Sequence, residues 1–223
     1  MSSRRYTGRG LLLVTVGLLV AFPSRAQERW SASLFGGVAF PLGDFGDEGI
    51  SEEAGLATIG FTLGSDLAMR IRSAPGLEWL STVQGVTFGV AEGFLEDLPQ
   101  EAEVDLGRYW GAQLMTGLRY TIGEAGTRVR ISGQMVVGTM RAPNATVSVP
   151  GEEVELESFW EPVKGVSGGL GLVLGERMSV TARYETLFNP EISGELRYMG
   201  MVEEYEGEQA MSWLRITVGI QVW

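Results

Sequence analysis

The chain contains no histidine and no cysteine, and its one lysine is Lys164. Without imidazole or thiolate, nucleophilic pairs of the Ser-His and Cys-His kind are excluded, and so are the usual zinc sites. No disulfide can staple the fold. The tripeptide Asp44-Phe45-Gly46 has the letters that hold magnesium in protein kinases. A kinase also needs a His-Arg-Asp catalytic loop and a strand lysine for the nucleotide phosphates, and Lys164 lies far downstream in a Gly-rich run. The tripeptide therefore belongs to a turn: a strand-like run, Trp30 to Phe40, is broken by Pro41 and followed by Gly43, Asp44 and Gly46.

Long apolar runs are scarce too. The one at the N-terminus, Leu11 to Phe22, has twelve residues, whereas a membrane-spanning helix needs about 20. It follows Arg4, Arg5 and Arg9 and precedes Ser24-Arg25-Ala26, the pattern of a secretory signal cleaved after Ala26. The expected organisation is a signal over residues 1–26 and a single barrel domain over 27–223. Cleavage removes four arginines and no acid, taking the formal charge from −11 to −15. Such a polyanion has no electrostatic affinity for nucleic acid. Helical periodicity is absent after the signal, and glycine is abundant, 32 of 223 residues, about twice the average usage of about 7%. Glycine at that level weakens helices and marks bends and bulges in strands.

What is present is alternation with a period of two, the signature of strands with unlike faces. The last segment is the clearest: Leu214, Ile216, Val218, Ile220 and Val222 share one face, and Arg215, Thr217, Gly219 and Gln221 the other. Earlier segments repeat the pattern. Ala32, Leu34, Val38 and Phe40 share a face; Ile59, Phe61, Leu63, Leu67 and Met69 oppose Thr62, Asp66 and Arg70. Trp110, Leu114, Leu118 and Tyr120 oppose Gln113 and Arg119, and Val129, Ile131, Met135 and Val137 oppose Arg128, Arg130, Ser132 and Gln134. Val166, Leu170, Leu172 and Leu174 oppose Gly165, Ser167, Gly169 and Gly171; Val180, Ala182, Tyr184 and Phe188 oppose Thr181, Arg183 and Glu185. A further segment, Leu77 to Val90, has no cleanly apolar parity.

Eight strands leave seven connections, and these alternate. Residues 72–76, 122–127 and 175–177 are short links; 41–55, 91–107, 142–158 and 189–209 are long. Short turns at one end and long loops at the other are expected of an outer-membrane β-barrel. The four long connections hold 21 of the 28 acidic residues against one base, Arg197. Strand positions of the polar parity carry Arg70, Arg119, Arg128, Arg130, Arg183 and Arg215 beside Asp66 and Glu185. A soluble barrel turns its polar parity to water, a membrane barrel turns it inward. Aromatics near strand ends, Trp30, Phe40, Trp79, Tyr109, Trp110, Tyr120, Phe159, Trp160, Phe188, Trp213 and Trp223, suit the two interfacial girdles of a membrane barrel. The expected fold is all-β, an eight-stranded antiparallel up-and-down transmembrane barrel with short periplasmic turns and four long acidic extracellular loops. Asp66, Arg70, Gln113, Arg119, Arg183, Glu185 and Arg215 are expected to form a lumen-facing polar network.

Other patterns carry less. Gly168 to Gly175 lacks the spacing and following helix of a dinucleotide loop, and the run from Gly43 to Gly49 lacks the spacing and final Glu of an EF-hand. No cofactor, catalytic residue or dedicated metal site is expected; the loop carboxylates are foremost a solvated acidic surface.

Residues 30–47, "WSASLFGGVAFPLGDFGD", and the closing strand "LRITVGIQVW" resemble the bacterial outer-membrane protein β-barrel domain family. The resemblance implies an eight-stranded barrel with both termini in the periplasm, embedded among outer-membrane lipid and lipopolysaccharide. The terminal aromatic, Trp223, is similar to the signal read by the barrel-insertion machinery, and no further domain is expected after the barrel. The expected function is a non-catalytic structural or surface-interaction role in the bacterial outer membrane through the acidic loops. Two alternatives stand beside it: a small passive pore with an Arg-bearing lumen, and a soluble exported lipocalin-like barrel binding an apolar ligand.

Overall fold

The computed structural model describes residues 29–47, 55–91, 103–123, 127–149, 152–188 and 190–222. The expected signal segment and Trp223 lie outside the described residues. Eight strands close into a barrel: β1 (Trp30–Leu42), β2 (Ala57–Arg70), β3 (Leu77–Val90), β5 (Tyr109–Ile122), β6 (Thr127–Arg141), β9 (Trp160–Leu174), β10 (Met178–Leu187) and β13 (Met211–Gln221). Each pairs antiparallel with its neighbours in chain order, and β1 pairs with β13 to close the wall. Closure leaves the wall without an open edge, so its backbone groups pair from strand to strand instead of facing lipid.

The wall is inverted relative to a soluble protein. Leu63, Met135 and Leu170 are 67%, 68% and 61% exposed, whereas Arg119, Arg183, Glu185 and Arg215 are buried inside. This orientation removes the lipocalin-like alternative, which needs the apolar parity inward.

Adjacent glycines on β9 report the two sides. A Cβ on Gly168 would meet nothing, while one on Gly169 would run into Arg183 Cγ and the Ala182 carbonyl. Gly168→Leu is therefore expected to change unfolding free energy by less than about 0.5 kcal/mol. Gly169→Leu is expected to cost about 1–3 kcal/mol through overpacking. Urea unfolding of both variants in micelles checks the pair, and equal costs would contradict the assigned faces.

The long connections depart from the expected loops. They carry β4 (Glu103–Leu106), β7 (Ala145–Val149), β8 (Glu152–Ser158), β11 (Glu191–Tyr198) and β12 (Met201–Glu208), which assemble into a second sheet in the order β12-β11-β8-β7-β4. The reason is a short alternation inside the acidic segments: Val154 and Leu156 oppose Glu153, Glu155 and Glu157. Strands this acidic have little β-propensity of their own, and the pairing of segments distant in sequence supplies what local preference lacks.

Candidate functional site

The barrel interior has three levels. At the long-connection end, Phe45, Phe88, Tyr109, Met140, Met211 and Trp213 form a buried apolar plug. Gly43, at φ 59°, lets the chain leave β1 in a single 3-10 turn, Gly43–Gly46, which points Phe45 into the barrel. Its ring lies 4.9 Å from Phe88 and 5.2 Å from Tyr109, both edge-on, and Phe88 lies 5.5 Å from Trp213. The Tyr109 hydroxyl donates to the Gly55 carbonyl at 2.6 Å, tying the first long connection to the wall. The kinase-like tripeptide is thus a stopper.

Two residues expected in the aromatic girdle, Tyr109 and Trp213, belong to this plug instead, at 5% and 0% exposure. Proximity to a strand end placed them in the girdle; strand parity decides otherwise, because Tyr109 and Trp110 are consecutive and point to opposite faces. Trp79, Trp110, Tyr120, Phe159, Trp160 and Phe188 are exposed.

Below the plug lies a polar layer. Arg183 Nη2 donates to Asp66 Oδ2 at 3.1 Å and its Nη1 to Gln134 Oε1 at 2.9 Å. The Thr82 hydroxyl donates to Asp66 Oδ1 at 2.5 Å. Gln84 Nε2 donates to Gln113 Oε1 at 2.6 Å and to Glu185 Oε2 at 2.9 Å, bridging two sides of the lumen. Arg215 Nε sits 2.6 Å from Glu185 Oε1, a contact that is ionic rather than an aligned hydrogen bond. The Arg215 guanidinium also lies over the Phe35 ring, 5.0 Å from its centre.

Nearer the short turns, Arg119 Nε donates to Glu78 Oε2 at 2.7 Å, while Arg70 reaches the same carboxylate only at 4.0 Å with its side chain mostly exposed. Of the seven residues expected in a lumen network, six are in or adjoin these two layers and Arg70 lies at the rim. Glu78, Thr82 and Gln84 were missed because β3 mixes Leu80, Val86 and Phe88 with them on one inward face. That mixture is itself a signal: one strand contributes to the plug and to both polar layers.

On the outward sheet, cross-strand partners share a face. Glu157 faces Glu195 and Glu195 faces Glu204, giving a row of three acids, and Glu191 faces Glu208. Arg197 relieves part of the repulsion, 2.8 Å from Glu195 and 3.5 Å from Glu157. Its hydrogen bond to Glu195, ahead of that carboxylate's charge, holds the guanidinium above its usual pKa. The opposite face carries Val104, Val147, Val154, Leu156 and Leu196. Ser158, at the end of β8, donates its N–H to Asn144 Oδ1 in the link between β6 and β7 at 3.0 Å, and its hydroxyl meets that of Tyr205 on β12 at 2.9 Å.

Each of the lumen carboxylates Asp66, Glu78 and Glu185 lies against an arginine. Strands of 10 to 15 residues reach or exceed the roughly 9–11 that a tilted strand needs to cross a bilayer. With apolar side chains outside and ion pairs inside, the barrel is built to sit in lipid.

No protein-family model and no curated protein matches the chain. Among solved structures, the chain is similar to Ail, the attachment invasion locus protein of Yersinia pestis, at 13% identity and TM-score 0.43 over 86% of this chain and 97% of that one. It is similar to Neisserial surface protein A at 12% identity and TM-score 0.41, covering 86% and 96%. The N-terminal β-barrel domain of Pseudomonas aeruginosa OprF matches at 11% identity and TM-score 0.39, over 86% and 96%. At such identities no ligand or partner carries over to this chain.

Proposed function

We propose that the chain is an integral β-barrel of a bacterial outer membrane whose non-catalytic role is exercised at the long-connection end, by the acidic sheet meeting the cell exterior. The inverted wall carries this reading: a ring of exposed Leu63, Met135 and Leu170 around the inward Asp66–Arg183 and Glu185–Arg215 pairs. In water such an apolar ring drives aggregation; in lipid it costs nothing. The row Glu157, Glu195, Glu204 supports a role for the outward sheet, since like charges directly opposite one another destabilise a sheet. The passive-pore alternative is disfavoured by the plug, because Phe45, Phe88 and Trp213 are fully buried across the lumen.

Export by a cleaved signal and insertion through the C-terminal strand belong to the same proposal. The test is the electrophoretic mobility of membrane-fraction protein, unheated against boiled. A compact, faster unheated form that slows on boiling is expected of a closed barrel. A soluble protein with no shift would overturn the membrane assignment.

A further inference from the structure

At the short-turn end the lumen opens into a cavity of about 640 Å³, lined by Arg29, Arg70, Arg72, Arg128 and Arg130 among others, with Glu78 and Glu176 as its acids. Glu78 is engaged by Arg119 at 2.7 Å. Among the described residues, Arg29, Arg72, Arg128 and Arg130 take part in no ion pair. Arg128 and Arg130 stand on consecutive inward positions of β6, half-buried, and each has a buried Nε without a hydrogen-bond partner among the described residues. The wall beside them is pared down: Arg130 pairs in register with Gly171, whose missing Cβ would lie 3.7 Å from the Arg130 Cβ. The result is a roomy basin with two deep guanidinium groups and three more at its mouth.

A charged side chain drawn into a protein wall is normally paired or hydrogen-bonded, and the three deeper lumen arginines obey that rule, Arg119 with Glu78, Arg183 with Asp66 and Arg215 with Glu185. Arg128 and Arg130 break it together, at one place, around an open volume. Guanidinium groups recognise phosphate and carboxylate oxygens through paired, charge-assisted hydrogen bonds. We infer that the short-turn mouth is a binding site for a multiply charged oxyanion, phosphate or clustered carboxylate, held by Arg128 and Arg130 with Arg29, Arg70 and Arg72 closing over it. The site goes beyond the role proposed for the outward sheet and does not depend on it; with the barrel in a bacterial outer membrane it faces the periplasm.

The test uses the full mature chain folded in zwitterionic micelles and calorimetric titration at constant ionic strength. Pyrophosphate represents the phosphate source and citrate the carboxylate source, and the tighter of the two identifies the class. Saturable binding with a Kd of about 1 mM or below is expected, weakened at least tenfold by Arg130→Gln or Arg128→Gln. Arg197→Gln, on the outward sheet, is expected to leave it unchanged. If either mouth variant does not fold, Arg72→Gln in the exposed turn serves in its place, with an expected weakening of about threefold. Heats no larger than those of added chloride, or variants that bind as the parent does, would overturn the site.

Discussion

Glu185→Gln is expected to lower the unfolding free energy of the barrel by about 3–5 kcal/mol, the usual cost of removing one partner from a buried ion pair. The magnitude follows from what surrounds Arg215. The residue is 1% exposed, its two terminal nitrogens have no hydrogen-bond partner among the described residues, and Glu185 Oε1 at 2.6 Å is its counter-charge. The Phe35 ring 5.0 Å away offers only a weak substitute. Gln84 would keep an acceptor in the new amide, so the loss reports charge rather than hydrogen bonding. The double change Glu185→Leu with Arg215→Leu is expected to recover most of the loss, since an apolar replacement of a buried pair is often neutral or stabilising. Reversible urea unfolding in lipid vesicles measures both. A single-variant loss below about 1 kcal/mol would mean that water reaches this level of the lumen, and the interior would no longer count as filled.

The second large effect lies on the other side of the wall. Met135 is 68% exposed near the middle of β6, with Thr116 and Val166 as its cross-strand partners. Met135→Arg is expected to destabilise the bilayer-inserted barrel by about 2–4 kcal/mol, the cost of an arginine at the lipid midplane of such a wall. On a water-exposed strand the same change would fall within about 0.5 kcal/mol. Unfolding in vesicles of defined thickness separates the two cases, and a neutral outcome would remove lipid from the apolar face. Both predictions concern charge in a low-dielectric place, but with opposite lessons: inside, Arg215 is tolerated because the Glu185 carboxylate meets it, and outside no carboxylate would meet an arginine at position 135.

Several residues show how far sequence reasoning reaches. Arg119, Arg183 and Arg215 occupy the parity opposite to Leu118, Tyr184 and Leu214, and the structure places them inside. That much is local, because a strand turns successive side chains to opposite faces whatever the rest of the chain does. β3 resisted the same logic, since its inward face changes character along its length, from Glu78 through Thr82 and Gln84 to Phe88. Period-two analysis separates inside from outside, and it has no means of separating the top of a lumen from its bottom. Phe45 was equally opaque: the letters around it specify a turn, and only the plug gives its side chain a destination.

The eight alternating strands of the wall were determined by the sequence alone, because the alternation rests on neighbours within a few positions. Which carboxylate answers which arginine was decided by the tertiary structure. Asp66 and Arg183 are 117 positions apart, and Gln84 and Glu185 are 101 apart. They meet because the closed wall fixes the register of every strand at once, and a shift of one residue in any strand would turn its polar face to lipid. The outward sheet arises in the same way: its acidic strands have little tendency to pair alone, and barrel closure holds their ends close enough to do so.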